Sequence, residues 1–219
     1  MSCKKYKYFL FDLDGTLTDP FLGITNSVAY SLKHYGINVE DRKELACFIG
    51  PPLYESYEKY YGFSHEGAVE AVEKYREYYR DKGIFENRLY DGIAHMLKTL
   101  KKSGKTVIMA TSKPTVFARR IAEHYGIMEY FDVLVGSELD GKRVDKAEVI
   151  EEALRQAGFP ERSECIMVGD RLHDIIGAKK NSLTSIGVLY GYGSREELSE
   201  AGADLMVETV DELLEVLNK

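Results

Sequence analysis

Tyr8-Phe9-Leu10-Phe11-Asp12-Leu13-Asp14-Gly15-Thr16 decides the fold. Four apolar residues in succession fit a strand buried on both faces, as in a parallel sheet covered by helices. The sequence then turns abruptly polar, with two carboxylates two residues apart and a glycine that lets the backbone leave the strand sharply. Asp12 therefore stands at the carboxyl end of a strand, where open α/β sheets bind their ligands. Asp and Gly also make ordinary turns, so this stretch alone leaves turn and site in balance. Gly169-Asp170-Arg171-Leu172-His173-Asp174, a second acidic stretch after another apolar run, tips it towards a site.

Further apolar runs at 106–110, 133–136, 165–168 and 185–189 read as strands, with 204–207 as a short edge strand. Helical faces alternate with them. Ile93, Met96, Leu97 and Leu100 form one, with Asp91 as N-cap and Gly104 past its end. Val116, Phe117 and Ile121 form the next, then Val149, Ile150, Ala153, Leu154 and Ala157, closed by Gly158. Ser194 with Glu197, and Thr209 with Glu212, read as capping boxes. Strands alternating with helices imply a doubly wound, right-handed parallel sheet, a Rossmann-like α/β core.

Residues 20–86 break that rhythm. Ile24, Val28, Leu32 and Tyr35 share a helical face closed by Gly36, and a short helix is expected over 41–48. Ile49-Gly50-Pro51-Pro52-Leu53 is a rigid break, followed by stripes of Tyr54, Tyr57 and Tyr61 and of Val69, Val72, Tyr75 and Tyr79. With 16 Tyr in the chain, aromatic stripes at helical spacing read as core. The expected organisation is an α/β catalytic core over 1–19 and 87–219 with an all-helical insertion over 20–86.

Composition narrows the function. A net charge of −7 over 219 residues, with no basic stripe, excludes a nucleic-acid surface. No run approaches the roughly 18 apolar residues of a transmembrane helix. Residues 1–7 are basic, but the apolar stretch behind them is too short for a signal peptide and ends in acids. Cys3, Cys47 and Cys165 are odd in number and far apart, and read as reduced thiols of a cytoplasmic protein. His34, His65, His95 and His124 read as surface residues, His173 as a spacer, and Gly191-x-Gly193 as a loop, since it lacks the rest of a dinucleotide fingerprint.

A parallel sheet turns every strand's carboxyl end to one crevice, which gathers Asp12, Asp14, Thr111, Ser112, Asp170 and Asp174. Four carboxylates so close repel one another unless a cation joins them or some are protonated. Oxygen ligands of this kind suit Mg²⁺. Asp12 can then act as nucleophile, Asp14 as general acid and base, and a hydroxyl and a lysine as phosphoryl ligands.

The set resembles the haloacid dehalogenase-like superfamily of phosphohydrolases, in its phosphoglycolate-phosphatase-like branch. Asp12-Leu13-Asp14-Gly15-Thr16 resembles the first motif, Thr111 the second, and Gly169-Asp170 with Asp174 the fourth. The resemblance implies that Asp12, the carbonyl of Asp14, and Asp170 ligate Mg²⁺ with Asp174 assisting, and that the insertion is a cap. The third motif departs, because no Lys-Pro pair stands between Gly136 and Val149; Lys146 is the chosen lysine and Lys142 the runner-up. Lys113 and Ser112, in the second-motif turn, are placed to touch substrate. Gly50 is the choice in the cap, with a plain break between helices as the equal alternative.

The function so implied is a Mg²⁺-dependent phosphatase that hydrolyses small phosphomonoesters, of the phosphoglycolate or nucleoside 5′-monophosphate type, through an aspartyl-phosphate. Its partner is a small phosphorylated metabolite, with neither nucleic acid nor membrane, and the oligomeric state stays open. A pyrophosphatase is the alternative, or a phosphomutase, whose relatives carry Val in place of Thr16, or a catalytically silent phosphate-binding module. A dehalogenase fits poorly, since halide departure needs no acid at Asp14.

Overall fold

The computed structural model describes residues 6–218, so Cys3 lies outside the described residues. In chain order the elements are β1 (Tyr8–Phe11), β2 (Thr18–Asp19), α1 (Phe21–His34), a 3-10 helix (Arg42–Phe48), α2 (Leu53–Tyr61), α3 (His65–Tyr79), a 3-10 turn (Gly83–Phe85) and β3 (Arg88–Leu89). There follow α4 (Ile93–Lys102), β4 (Thr106–Pro114), α5 (Thr115–His124), β5 (Val133–Ser137), α6 (Lys146–Gln156), β6 (Cys165–Gly169) and α7 (Leu172–Lys180). The chain ends in β7 (Thr184–Val188), α8 (Arg195–Ala201), β8 (Leu205–Val207) and α9 (Val210–Asn218). It divides into two compact units, one running to Thr18 and resuming at Leu89, the other Asp19–Arg88.

The first unit is built on a six-stranded sheet in the order β5-β4-β1-β6-β7-β8, parallel throughout. Phe9, Leu10 and Phe11 are fully buried, which is why β1 reads as an unbroken apolar run. Leu10, Ile108, Ala110, Val135 and Met167 meet Val149, Ile150, Ala153 and Leu154 of α6 and Ala178 of α7 in one core. Strand alternation turns Phe9 and Phe11 to the opposite face. Successive strands cross from one side of β1 to the other after β5, so the strand order reverses between β1 and β6. That is where an open sheet offers its crevice.

The Asp19–Arg88 unit is helical, with α1 packed on α3 and on the 3-10 helix. Leu32, Leu45, Phe48, Tyr57, Tyr75 and Tyr79 form its core, and Ser31 Oγ donates to the carbonyl of Ala71 at 2.7 Å.

Four local expectations need correction. The inward face of α3 is Ala68, Ala71, Tyr75 and Tyr79, with Val69 49% exposed. Close helix packing selects the small residues over the more hydrophobic one beside them. In α5, Val116 is likewise exposed, and Phe117, Ala118, Ile121 and Ala122 face inward. The N-cap of α4 is Gly92, in a left-handed turn, not Asp91. Each capping box is only half formed. Ser194 and Thr209 accept from the amides of Glu197 and Glu212, both at 3.1 Å, but Glu197 turns its carboxylate to Arg171 and Glu212 to the amide of Glu208.

The α5 correction can be measured by chemical denaturation. Phe117→Ala is expected to cost about 3 kcal/mol or more, the scale for deleting a buried ring. Val116→Ala should stay within about 0.5 kcal/mol.

Candidate active site

The sheet register assembles the site. Phe11 pairs with Met109 on one side and Val168 on the other, so Asp12 emerges level with Ala110 and Gly169, one residue short of Thr111 and Asp170. The amide of Asp12 still donates to the Val168 carbonyl at 2.9 Å, which fixes the base of its side chain. Asp12, Asp170 and Asp174 are buried, and one carboxylate oxygen from each lies within 4.8 Å of the others.

Lys146 joins this group from the first residue of α6. Its Nζ lies 2.7 Å from Asp12 Oδ1, 2.8 Å from Asp174 Oδ1 and 3.0 Å from the carbonyl of Ala110. Asp12 Oδ1 and the Ala110 carbonyl accept two of its protons, and Asp174 Oδ1 lies at ion-pair distance. The N-cap of α6, Asp145, accepts from the amide of Ala147 at 2.9 Å and pairs with Lys180 of α7, also at 2.9 Å. The helix that carries Lys146 is thus tied to the helix that carries Asp174.

Asp14 meets a second lysine. Lys113 Nζ donates to Asp14 Oδ2, and its side chain is almost fully buried. Asp14 Oδ1 is also buried but has no hydrogen-bond partner. Thr111 is 1% exposed, and its hydroxyl accepts from the amide of Lys113 at 3.2 Å. Residues 111–114, expected as a turn, continue β4, and the carbonyl of Ser112 accepts from Ser137 Oγ at 2.7 Å, which ties that strand end to β5. Lys142 stands apart: it is exposed and paired to Asp140 at 2.7 Å. Gly50 belongs to the Asp19–Arg88 unit, in a turn at φ +104°. The histidines at 34, 65, 95 and 124 are exposed.

Asp170 is held from several sides. Its Oδ1 accepts from Thr16 Oγ1 at 3.3 Å and its Oδ2 from the amide of Tyr192 at 2.8 Å. A β-carbon at Gly15 would stand 2.2 Å from Asp170 Oδ2, and Gly15 has φ +84°, so both space and backbone demand glycine there. Sequence reading missed the Tyr190–Gly193 loop. Its signal is a Gly-x-Gly between tyrosines where β7 ends, at the same end of the sheet as Asp170.

The electrostatics follow from this packing. Burial drives Asp170 well above its ordinary range, with the charges of Asp174 and Asp12 adding to the shift. Burial lifts Asp174 to about 6 against the pull of Lys146. Burial also raises Asp14, although Lys113 opposes it. Lys146 is raised, because Asp12 and Asp174 outweigh the burial that would lower it. With all four carboxylates ionised, the two ammonium groups would leave an excess of two negative charges in a buried space. An all-oxygen donor set, an orphaned carboxylate oxygen and that charge imbalance fit one hard divalent cation.

Residues 9–188 match the model of the haloacid dehalogenase-like hydrolase family. The chain is 48% identical to a 5′-nucleotidase of Pseudomonas aeruginosa over 89% of its own length and 87% of that protein's. It is 38% identical to the tyrosine-protein kinase PtkA of Mycobacterium tuberculosis, over 95% of this chain and 71% of that one. A crystal structure described as a predicted phosphatase from Clostridium acetobutylicum superposes with a TM-score of 0.93 at 52% identity, over 96% of this chain and 97% of that one. The chain belongs to the haloacid dehalogenase-like hydrolases, and it is a phosphoric monoester hydrolase acting on small phosphoesters. No helix among the described residues is long and apolar enough to cross a membrane.

These shifts set a pH dependence for the metal-free protein. An acid whose native pKa exceeds its unfolded value binds protons more tightly when folded, so stability falls as pH rises through that interval. For Asp174 the interval runs from 3.8 to about 6, and for Asp170 it starts at the same value and extends well above. With chelator present, the melting temperature should fall as pH rises from about 4 through about 6 and go on falling above it, and Asp170→Asn should flatten that fall. A melting temperature that rises over this range would show that the carboxylates are not under strain.

Proposed function

We propose that the protein is a Mg²⁺-dependent phosphatase of small phosphomonoesters, of the nucleoside 5′-monophosphate or phosphoglycolate type, working through an aspartyl-phosphate. The observation that carries the proposal is the Lys146 ammonium shared between Asp12 and Asp174 at 2.7 and 2.8 Å, at the carboxyl ends of the central strands. Lys146 holds Asp12 Oδ1 in place at 2.7 Å, which orients the carboxylate proposed as nucleophile. Asp12, the carbonyl of Asp14, Asp170 and Asp174 would hold the Mg²⁺, which when bound offsets the negative charge of the phosphoryl oxygens.

Asp12 attacks phosphorus, and the bond to the ester oxygen breaks. Asp14 gives that oxygen its proton, so the alcohol leaves neutral. Asp14 then takes a proton from water as the water attacks the phosphorus, which frees phosphate and restores Asp12. Thr111 and Lys146 hold phosphoryl oxygens as their charge shifts. Lys113 holds Asp14 by its other oxygen and, with Ser112, lines the approach of the leaving group. Gly50, in the helical unit that we assign as the cap, is proposed to read the leaving group through its backbone.

The family resemblances extend to a 5′-nucleotidase, a phosphoglycolate phosphatase and a pyrophosphatase, so a panel of phosphate esters with Mg²⁺ is the direct test. Nucleoside monophosphates, phosphoglycolate, pyrophosphate and ATP belong in it. Preference for monoesters is expected; turnover of pyrophosphate alone would reassign the substrate class.

Asp12→Asn should reduce turnover to background while circular dichroism stays native, because the amide keeps the shape and loses the nucleophile. Asp14→Asn should lose about 10²- to 10⁴-fold, the range for general acid–base catalysis. Normal turnover in either variant removes that residue from its role.

The lysine assignment separates just as cleanly. Lys146→Ala should lower kcat at least ~10²-fold, the scale of one charged transition-state contact. Lys142→Ala should leave it near wild type, since Lys142 is exposed and pairs with Asp140. Reversed effects would move the third motif to Lys142.

A further inference from the structure

The loop from Tyr190 to Gly193 follows β7 and touches the acidic cluster without offering it a carboxylate. It is pinned at both ends. At its start the Tyr190 hydroxyl donates to the carbonyl of Thr16 at 3.0 Å, and the Tyr190 ring packs edge-on against Tyr90 with centroids 5.1 Å apart. At its end Ser194 caps α8, and Glu197 of that helix accepts from Arg171 Nε and the amide of Leu172, both at 2.9 Å. Between these ends the amide of Tyr192 donates to Asp170 Oδ2 at 2.8 Å.

The contact surface is bare backbone. A β-carbon at Gly191 would lie 2.4 Å from Asp170 Cβ and 2.4 Å from the carbonyl of Gly15, and one at Gly193 would lie 2.0 Å from the Asp170 carbonyl. The loop therefore presses Asp170 against the Gly15-Thr16 turn, and Thr16 answers with its hydroxyl on Asp170 Oδ1 at 3.3 Å. Both Asp170 oxygens are oriented, one by the loop amide and one by a threonine whose own carbonyl the loop holds.

We propose that Tyr190 is a positioning residue for the cation site: its hydroxyl locks the Thr16 carbonyl, and the loop it anchors sets the carboxylate of Asp170 in the orientation that receives the metal. This rests on the Mg²⁺ reading of the proposed function. It adds a part of the chain that supplies no ligand and performs no chemistry. Groups that orient ligands from behind change metal affinity by about 10- to 100-fold when removed.

The test is Tyr190→Phe, which deletes one oxygen and keeps the ring on Tyr90. Thermal melts of wild type and variant are titrated with Mg²⁺ alone, and turnover of a phosphate monoester is titrated with Mg²⁺ in parallel. The Mg²⁺ concentration for half-maximal stabilisation should rise about 10-fold, and excess Mg²⁺ should recover most of the lost turnover. Gly191→Ala, which intrudes on Asp170 directly, should shift the same midpoint further. An unchanged midpoint in Tyr190→Phe overturns the proposal, even if the melting temperature without metal falls, because a purely structural role would give that result. A wild type that Mg²⁺ neither stabilises nor activates overturns the metal reading itself, and the positioning role with it.

Discussion

One buried ammonium group holds the carboxyl end of the sheet together. Lys146 sits in the first turn of α6, where the helix dipole disfavours a cation. It is tolerated there because the carboxylates of Asp12 and Asp174 lie within 2.8 Å and the Ala110 carbonyl also accepts from it. Removing one partner of a buried ion pair leaves an uncompensated charge, so each of these groups depends on the others. The arrangement joins three elements distant in sequence, β1 through Asp12, α6 through Lys146 and α7 through Asp174. The Lys180–Asp145 pair then ties α6 to α7 from outside.

That anchor still leaves the cluster short of positive charge. Lys113 balances Asp14, and Lys146 is shared between Asp12 and Asp174; Asp170 has no ion pair among the described residues, and burial pushes it towards its neutral form. A protein built only for stability would not keep such a group, since a buried carboxylate without a cation lowers stability at neutral pH. Its hydrogen bonds from Thr16 and Tyr192 organise it without neutralising it. The imbalance is one that the proposed divalent cation would offset.

Much of this was legible in the sequence. The unbroken apolar run of β1 gave the parallel sheet, and strand ends rich in Asp and Thr gave the crevice, because the sheet's direction alone brings them together. Lys146 was reachable as a lysine at the start of an amphipathic helix, although nothing in the sequence showed that it would bridge two aspartates. Other features were hidden for physical reasons. Hydrophobicity favoured Val69 and Val116 as core, whereas packing chose Ala71 and Ala118, whose small size lets helices approach. Glu197 had the spacing of a capping box, but Arg171, far away in sequence, competes for its carboxylate. The Tyr190–Gly193 loop looked like any glycine turn, since its meaning lies in what a β-carbon would strike.

The central claim is that Asp12 carries the phosphoryl group during turnover, held for attack by Lys146. It is tested most directly by rapidly quenching the enzyme during turnover of a labelled phosphate monoester and mapping the label by peptide. About one hydroxylamine-sensitive phosphoryl group per chain is expected on the peptide containing Asp12, the behaviour of an acyl phosphate, and none in Asp12→Asn. Label on another residue, or rapid turnover that never places label on this peptide, would contradict the account.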